Sequence, residues 1–90
     1  MAQAIVDPEQ LRQFAMMLKR FNTTLSESST KLQSELGKLS ASWRDQQHQK
    51  FAAEFEDQLK QLRRTIAAGE QHVSYLMRKA EVVEEYQRGG

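Results

Sequence analysis

Apolar residues recur with a seven-residue period through the second half of the sequence, and this pattern constrains the fold more than any other feature. Ten consecutive sites at two positions of the repeat carry no charge, namely Ala52, Leu59, Ile66, Val73 and Ala80 at one position and Phe55, Leu62, Gly69, Leu76 and Val83 at the other. Residues spaced alternately by three and four lie on one face of an α-helix. The pattern therefore predicts a long helix over residues 46–87 that packs along one stripe.

The first half carries a similar repeat. Leucine recurs at positions 11, 18, 25, 32 and 39, and Phe14 and Phe21 occupy the intervening sites of the expected stripe. The next two such sites are Ser28 and Glu35, so we expect Leu36 to take over, because a straight helix drifts by about 20° per heptad. Asp7-Pro8-Glu9 is a typical helix start, with Asp as the N-cap and Pro at the first helical position. These features predict a helix over residues 8–39.

A short polar segment, residues 40–45, separates the two patterns and contains the single tryptophan, Trp43. The simplest fold is an all-α hairpin, in which two antiparallel helices joined by this turn form one domain over residues 1–90. Gly69 lies in the middle of the second stripe, where a residue without a side chain permits close approach of the helices. We expect it opposite Phe14 and Leu18, with Ser28 opposite Phe55.

The chain is too short to bury a large core by itself. It has 90 residues, of which 19 are Leu, Ile, Val or Phe, and a two-helix hairpin of this size gains little stability alone. Apolar residues also remain outside the predicted stripes. We therefore expect two hairpins to pair into a four-helix bundle, with interface candidates Phe14, Met17, Phe21, Leu25, Tyr75 and Tyr86. The alternative is that these groups are ordinary exposed apolar residues.

Composition excludes several classes of function. There is no cysteine, and 13 basic residues balance 12 acidic ones, so neither a thiol site nor a basic surface for nucleic acid is expected. His48 and His72 stand on different sides of one helix, and the acidic clusters lie on a rod without a pocket. We predict no catalytic, cofactor or metal site, and hence no enzyme.

The N-terminus offers only residues 4–6 as an apolar stretch. This is too short for the core of a signal peptide or for a membrane span. We expect no direct membrane insertion and, if the protein is exported, no conventional leader.

Trp43 has two possible roles in the turn. It could act as a lid that closes the end of the hairpin over Leu39 and Phe51. It could also act as an anchor that is presented to a partner protein. The two roles are compatible.

These features resemble the Trp-Xaa-Gly family of type VII secretion, the small proteins related to the early secreted antigenic target. The motif stands here as Trp43-Arg44-Asp45, followed by Phe51 where the family places a large apolar residue, and the resemblance spans the whole chain. Asp45 replaces the family's glycine, but Asp tolerates positive φ and can cap the second helix. The family's C-terminal Tyr-x-x-x-Asp/Glu export signal is missing, since Lys79 and Gly90 stand four residues after the two tyrosines.

The resemblance implies a non-enzymatic secretion substrate, or the partner of one, that acts as a homodimer or as a heterodimer with a related small helical protein. It implies that Trp43, Arg44, Asp45 and Phe51 contribute to recognition by a membrane-associated translocating ATPase. The protein would then be secreted after a cytoplasmic stage. Two alternatives remain open at this point: a coiled-coil adaptor or chaperone-like protein that stays in the cytoplasm, and a helical bundle that binds a metal or ligand through His48 or His72 across a dimer interface.

Overall fold

Two long helices lie side by side and are joined by a tight turn. The computed structural model describes residues 6–89, so the apolar stretch at residues 4–6 lies mostly outside the described part. Helix α1 spans Pro8–Ser42 and helix α2 spans Gln46–Gly89. They form a rod that measures 68 × 16 × 13 Å. The predicted all-α hairpin is confirmed.

Helix α1 begins where the sequence indicates. The side chain of Asp7 accepts a hydrogen bond of 2.9 Å from the backbone N–H of Glu9, and Pro8 is the first helical residue. The helix continues to Ser42, three residues beyond the expected end at residue 39. There the backbone N–H of Trp43 donates to the carbonyl oxygen of Leu39 at 2.9 Å. This bond closes the last turn of the helix and leaves only residues 43–45 as the connection.

Helix α2 packs with the stripe that its sequence predicts. Every one of the ten repeat positions is buried or half-buried, and Leu59 and Ile66 are only 3% and 8% exposed. The unbroken apolar repeat therefore identifies the packed face of this helix correctly.

Helix α1 uses a different column of residues from the expected one. Its buried positions are Pro8, Ala15, Asn22, Ser29 and Leu36, again seven residues apart. The expected burial of Leu36 is confirmed, but Phe14 and Phe21 are 56% and 59% exposed, so their placement between the helices is wrong. Sites three and four residues after a leucine both adjoin the leucine column. The column with Ala, Asn and Ser faces α2 because small side chains let the backbones approach closely.

The helices lie close together at Gly69, as expected, but the nearest side chain across the contact is Asn22 rather than Phe14 or Leu18. A Cβ atom added at Gly69 would lie 2.5 Å from Asn22 Nδ2 and 2.7 Å from its Oδ1. The expected contact between Ser28 and Phe55 is likewise wrong, because Ser28 is exposed and its neighbour occupies the inner column. The one-residue shift brings the column of Ala15 and Asn22 inward. Asn22 also lies four residues beyond Leu18, so the register of the two helices differs from the expected one by about one helical turn.

Candidate functional site

The turn at the closed end of the hairpin is fixed by hydrogen bonds to both helices. Asp45 caps α2, since its Oδ1 accepts from the backbone N–H of His48 at 2.9 Å. Arg44 Nε donates to the carbonyl oxygen of Ala41 at 3.1 Å and thereby satisfies a free acceptor at the end of α1. The capping role expected for Asp45 is confirmed, so the turn forms with Asp in place of glycine.

Aromatic rings cluster around Trp43 at this end. The ring centroid of Trp43 lies 5.1 Å from that of His48 in an edge-on arrangement and 5.8 Å from that of Phe51. Phe51 in turn stacks on Phe55 at 5.7 Å. The predicted contact between Trp43 and Phe51 is thus observed. Trp43 is half-buried and Phe51 is exposed, so the cluster packs over the end of the hairpin and leaves apolar surface accessible to solvent.

One flank of the hairpin is closed by polar contacts between the helices. Arg12 forms a two-pronged ion pair with Glu84, with N–O distances of 3.0 and 2.6 Å. Arg63 donates to Gln33 Oε1 at 2.6 Å, and His48 is bonded to Ser40 at 2.7 Å. We call this side the polar flank.

The ion pair changes the acid–base behaviour of both partners. The hydrogen bond with Arg12 lowers the pKa of Glu84, with a smaller contribution from the charges of Arg12 and Arg88. The same bond raises the pKa of Arg12. Both shifts favour the charged forms, so the pair holds the C-terminal part of α2 against α1 at neutral pH.

A groove on the polar flank contains a buried amide group with no partner. Asn22 is 6% exposed, and its Nδ2 atom makes no hydrogen bond within the described part of the chain. The groove measures about 420 Å³ and is open to solvent, and its walls include Lys19, Thr23, Ser26 and Glu70. Its charged lining residues are Lys19, Glu27 and Glu70, so the groove carries charges of both signs.

The opposite flank carries exposed apolar side chains among the described residues, and we call it the apolar flank. It carries the second stripe of α1, in which Phe14, Phe21 and Leu32 are at least half exposed. Near the turn, a groove of about 260 Å³ is lined by Leu32, Glu35, Leu36, Leu39, Phe51 and Phe55. The groove is continuous with the aromatic cluster of the turn through Phe51.

The structure places the interface candidates as follows. Phe14 and Phe21 are exposed in the second stripe of α1, and Leu25 is half-buried. Met17 is exposed outside that stripe, in a groove that Arg12 and Met77 also line. Tyr75 and Tyr86 are exposed on α2. Their part in an interface between two hairpins stays a prediction.

Several residues of this site belong to a repeating polar pattern, which an analysis of apolar residues alone misses. Arg12, Gln33 and Ser40 belong to one seven-residue column of α1 that is polar throughout, and each bonds to α2. A search for polar residues at heptad spacing would have found this column. The importance of Asn22 could be found only once Gly69 was known to face it.

Other expected features can also be placed. His72 is exposed, and among residues 6–89 no group of three or more His, Asp or Glu side chains is arranged to hold a metal ion. Within those residues neither helix has a stretch that is both long and apolar enough to span a membrane.

Comparison with known proteins identifies the family. A family model described as "WXG100: Proteins of 100 residues with WXG" matches residues 3–87. No curated protein and no solved structure matches the chain. Since the match covers nearly the whole sequence and Trp43 lies in the turn between two helices, with Asp45 in place of the motif's glycine, the chain belongs to the WXG100 family.

Proposed function

We propose that this protein is a substrate of a type VII secretion system, or the partner of one, and that it acts as a dimer of helical hairpins without enzymatic activity. Membership of the WXG100 family is consistent with small proteins associated with type VII secretion, and proteins of this family are known to pair as dimers. The second chain is another copy or a related small helical protein.

The uncovered apolar flank is the observation that carries the proposal. Phe14 and Phe21 alternate with the leucine column at heptad spacing, which is the pattern of a helix that packs against another helix. Helix α2 already occupies the neighbouring column of small residues, so among residues 6–89 this stripe stays exposed. A second hairpin laid on the apolar flank completes a four-helix bundle.

The turn supplies the recognition element. Trp43 and Phe51 present partly accessible rings at one end of the rod, next to the apolar groove. Large aromatic side chains held in place by their neighbours are effective anchors in protein interfaces. We propose that Trp43, Arg44, Asp45 and Phe51 are recognised by the translocating ATPase of the secretion system.

Sedimentation equilibrium tests the dimer. Full burial of Phe stabilises by about 1.5–3 kcal/mol, and Phe21 still exposes more than half of its surface. With two copies in the interface, Phe21→Lys should weaken the dimer by about 2–4 kcal/mol. The matched control is Thr23→Lys, which adds the same charge on the polar flank. Equal dissociation constants for the two variants would refute the apolar flank as the interface, whereas a parent protein that is monomeric at micromolar concentration would refute the homodimer.

Secretion tests the turn. The protein and its Trp43→Ala variant are expressed in a bacterium with a type VII system, and culture medium and cells are compared by immunoblotting. We expect the parent protein in the medium, and the variant retained in the cells as an intact dimer. Export of both refutes the role of Trp43, whereas retention of a dimeric parent protein favours the cytoplasmic adaptor.

A further inference from the structure

His48 connects the two helices and the tryptophan ring at the closed end of the hairpin. Its Nε2 atom lies 2.7 Å from Ser40 Oγ on α1, while its ring stands edge-on to Trp43 at an interplanar angle of 68°. Both Ser40 and His48 are half-buried. The imidazole ring of His48 therefore packs against one side of the Trp43 indole.

The direction of the bond between Ser40 and His48 follows from a second contact. Ser40 Oγ also lies 2.9 Å from the carbonyl oxygen of Leu36, which can only accept. A hydroxyl group has one hydrogen, so Ser40 donates to Leu36 and accepts from the Nε2–H group of His48. The hydroxyl is thus fixed by α1, and it holds the imidazole ring in turn.

The backbone of His48 is held as well. Its N–H donates to the Asp45 side chain at 2.9 Å as part of the cap of α2. With the backbone fixed on one side and the ring fixed on the other, the imidazole has little freedom to move. On a second side the indole meets Phe51, at 5.8 Å between centroids.

We propose that Ser40 and His48 are positioning residues, which hold the Trp43 ring in the orientation that a partner protein recognises. The inference rests on the proposed role of the turn in recognition. Neither residue belongs to the Trp-Xaa-Gly motif. Loss of the bond between Ser40 and His48 frees the imidazole, so the indole loses one of its packing neighbours. The two helices and the other contacts between them are unchanged.

Trp43 is the only tryptophan in the chain, so tryptophan fluorescence of the full-length protein reports how accessible its ring is to solvent. Ser40→Ala removes the acceptor for His48. Loss of one neutral hydrogen bond corresponds to an about fivefold rise in the population of released imidazole. We expect the acrylamide quenching constant of Trp43 to rise about twofold, because a half-buried ring that loses a packing neighbour exposes more of its surface to solvent.

Two matched variants separate positioning from general damage to the helix end. Ser40→Thr keeps the hydroxyl group and should restore the quenching of the parent protein. Ser42→Ala removes a hydroxyl group that, within residues 6–89, bonds to the Leu39 carbonyl oxygen of its own helix and not to α2, and it should leave quenching unchanged. Equal quenching in Ser40→Ala and Ser42→Ala overturns the proposal, as does a failure of Ser40→Thr to restore it.

The secretion assay, run on the same variants, tests the link to recognition. We expect Ser40→Ala to lower export while its melting temperature stays that of Ser42→Ala. If Trp43→Ala is exported normally, the proposed role of the turn fails, although the quenching result still shows whether Ser40 and His48 position the ring. If Trp43→Ala is retained but Ser40→Ala is exported normally in spite of raised quenching, the orientation of the ring does not matter to the partner and the inference is overturned.

Discussion

Replacement of Gly69 by alanine tests how closely the two helices approach. The new Cβ would lie 2.5 Å from Nδ2, 2.7 Å from Oδ1 and 3.0 Å from Cγ of Asn22, whereas ordinary contacts begin at 3.4 Å. The distance to Cγ matters most, because rotation of the amide about its last bond leaves Cγ in place. Asn22 must therefore change its first side-chain torsion, or the helices must separate.

The expected magnitude combines two opposite effects. Overpacking of a well-packed site costs about 1–3 kcal/mol, and alanine in place of glycine inside a helix gains about 1 kcal/mol. The single variant should therefore lose between about 0 and 2 kcal/mol in its free energy of unfolding. When Asn22 is alanine, the steric cost disappears and Gly69→Ala should stabilise by about 1 kcal/mol.

The informative quantity is the difference between the two backgrounds. We expect the effect of Gly69→Ala to differ by about 1–3 kcal/mol between the protein with Asn22 and the protein with alanine at that position. Gly37→Ala is the matched control, since nothing lies within 4 Å of a Cβ atom added at Gly37. It should stabilise both backgrounds equally, by up to about 1 kcal/mol.

Urea unfolding followed by circular dichroism provides the measurement. All variants are compared at one protein concentration, because association of hairpins would add to their stability. A coupling between the two substitutions below about 0.5 kcal/mol is the value for independent sites. That result would refute the close contact between Gly69 and Asn22.

Three further predictions concern the ion pair, the turn and the core. Because the bond from Arg12 lowers the pKa of Glu84, the pair stabilises above the usual glutamate pKa and loses this effect as the pH falls through the lowered value. The difference in melting temperature between the parent protein and Glu84→Gln should thus be largest near neutral pH and should shrink as the pH falls below the usual glutamate pKa of about 4.3. Glu85→Gln should give no such trend, since its carboxylate has no cation within 4 Å among the described residues. Asp45→Ala should cost about 1 kcal/mol in urea unfolding and Asp45→Gly only a few tenths, since glycine is itself a good N-cap; equal losses would contradict the capping role. Leu59→Ala should cost about 2–5 kcal/mol, because the side chain is almost fully buried, and a loss below about 1 kcal/mol would contradict its place in the core.

The sequence predicts helix α2 well because only one of its faces is apolar along the whole length. No other pair of columns offers ten uncharged sites, so the packed stripe from Ala52 to Val83 has no competitor. The bond between Ser40 and His48 could not be predicted in the same way. This bond joins residues on two helices across the turn, so it forms only if α1 ends at the right residue. The sequence between Gly37 and Trp43 does not fix the last residue of α1 to better than several positions.

Helix α1 is harder to predict because it carries two stripes that share the leucine column. One is completed by Ala15, Asn22 and Ser29, and the other by Phe14 and Phe21. Hydrophobicity favours the aromatic stripe, yet the structure places the small residues against α2. Apolar periodicity shows that both columns adjoin the leucines, but it does not show which one faces the neighbouring helix.

If the apolar flank pairs with a second hairpin, there is a physical reason why the small residues of α1 face α2 and its phenylalanines face outward. The helices of one chain are joined by the turn, so their contact costs little additional freedom and can be made by small residues that bring the backbones close. Association of two chains costs an estimated 4–15 kcal/mol in translational and rotational freedom. A larger apolar area must offset that cost, and Phe14 and Phe21 supply such area where Ala15 and Asn22 would not. The placement of the large side chains outside the hairpin is therefore what a stable dimer requires, and the same placement explains why apolar periodicity alone assigns them to the wrong interface.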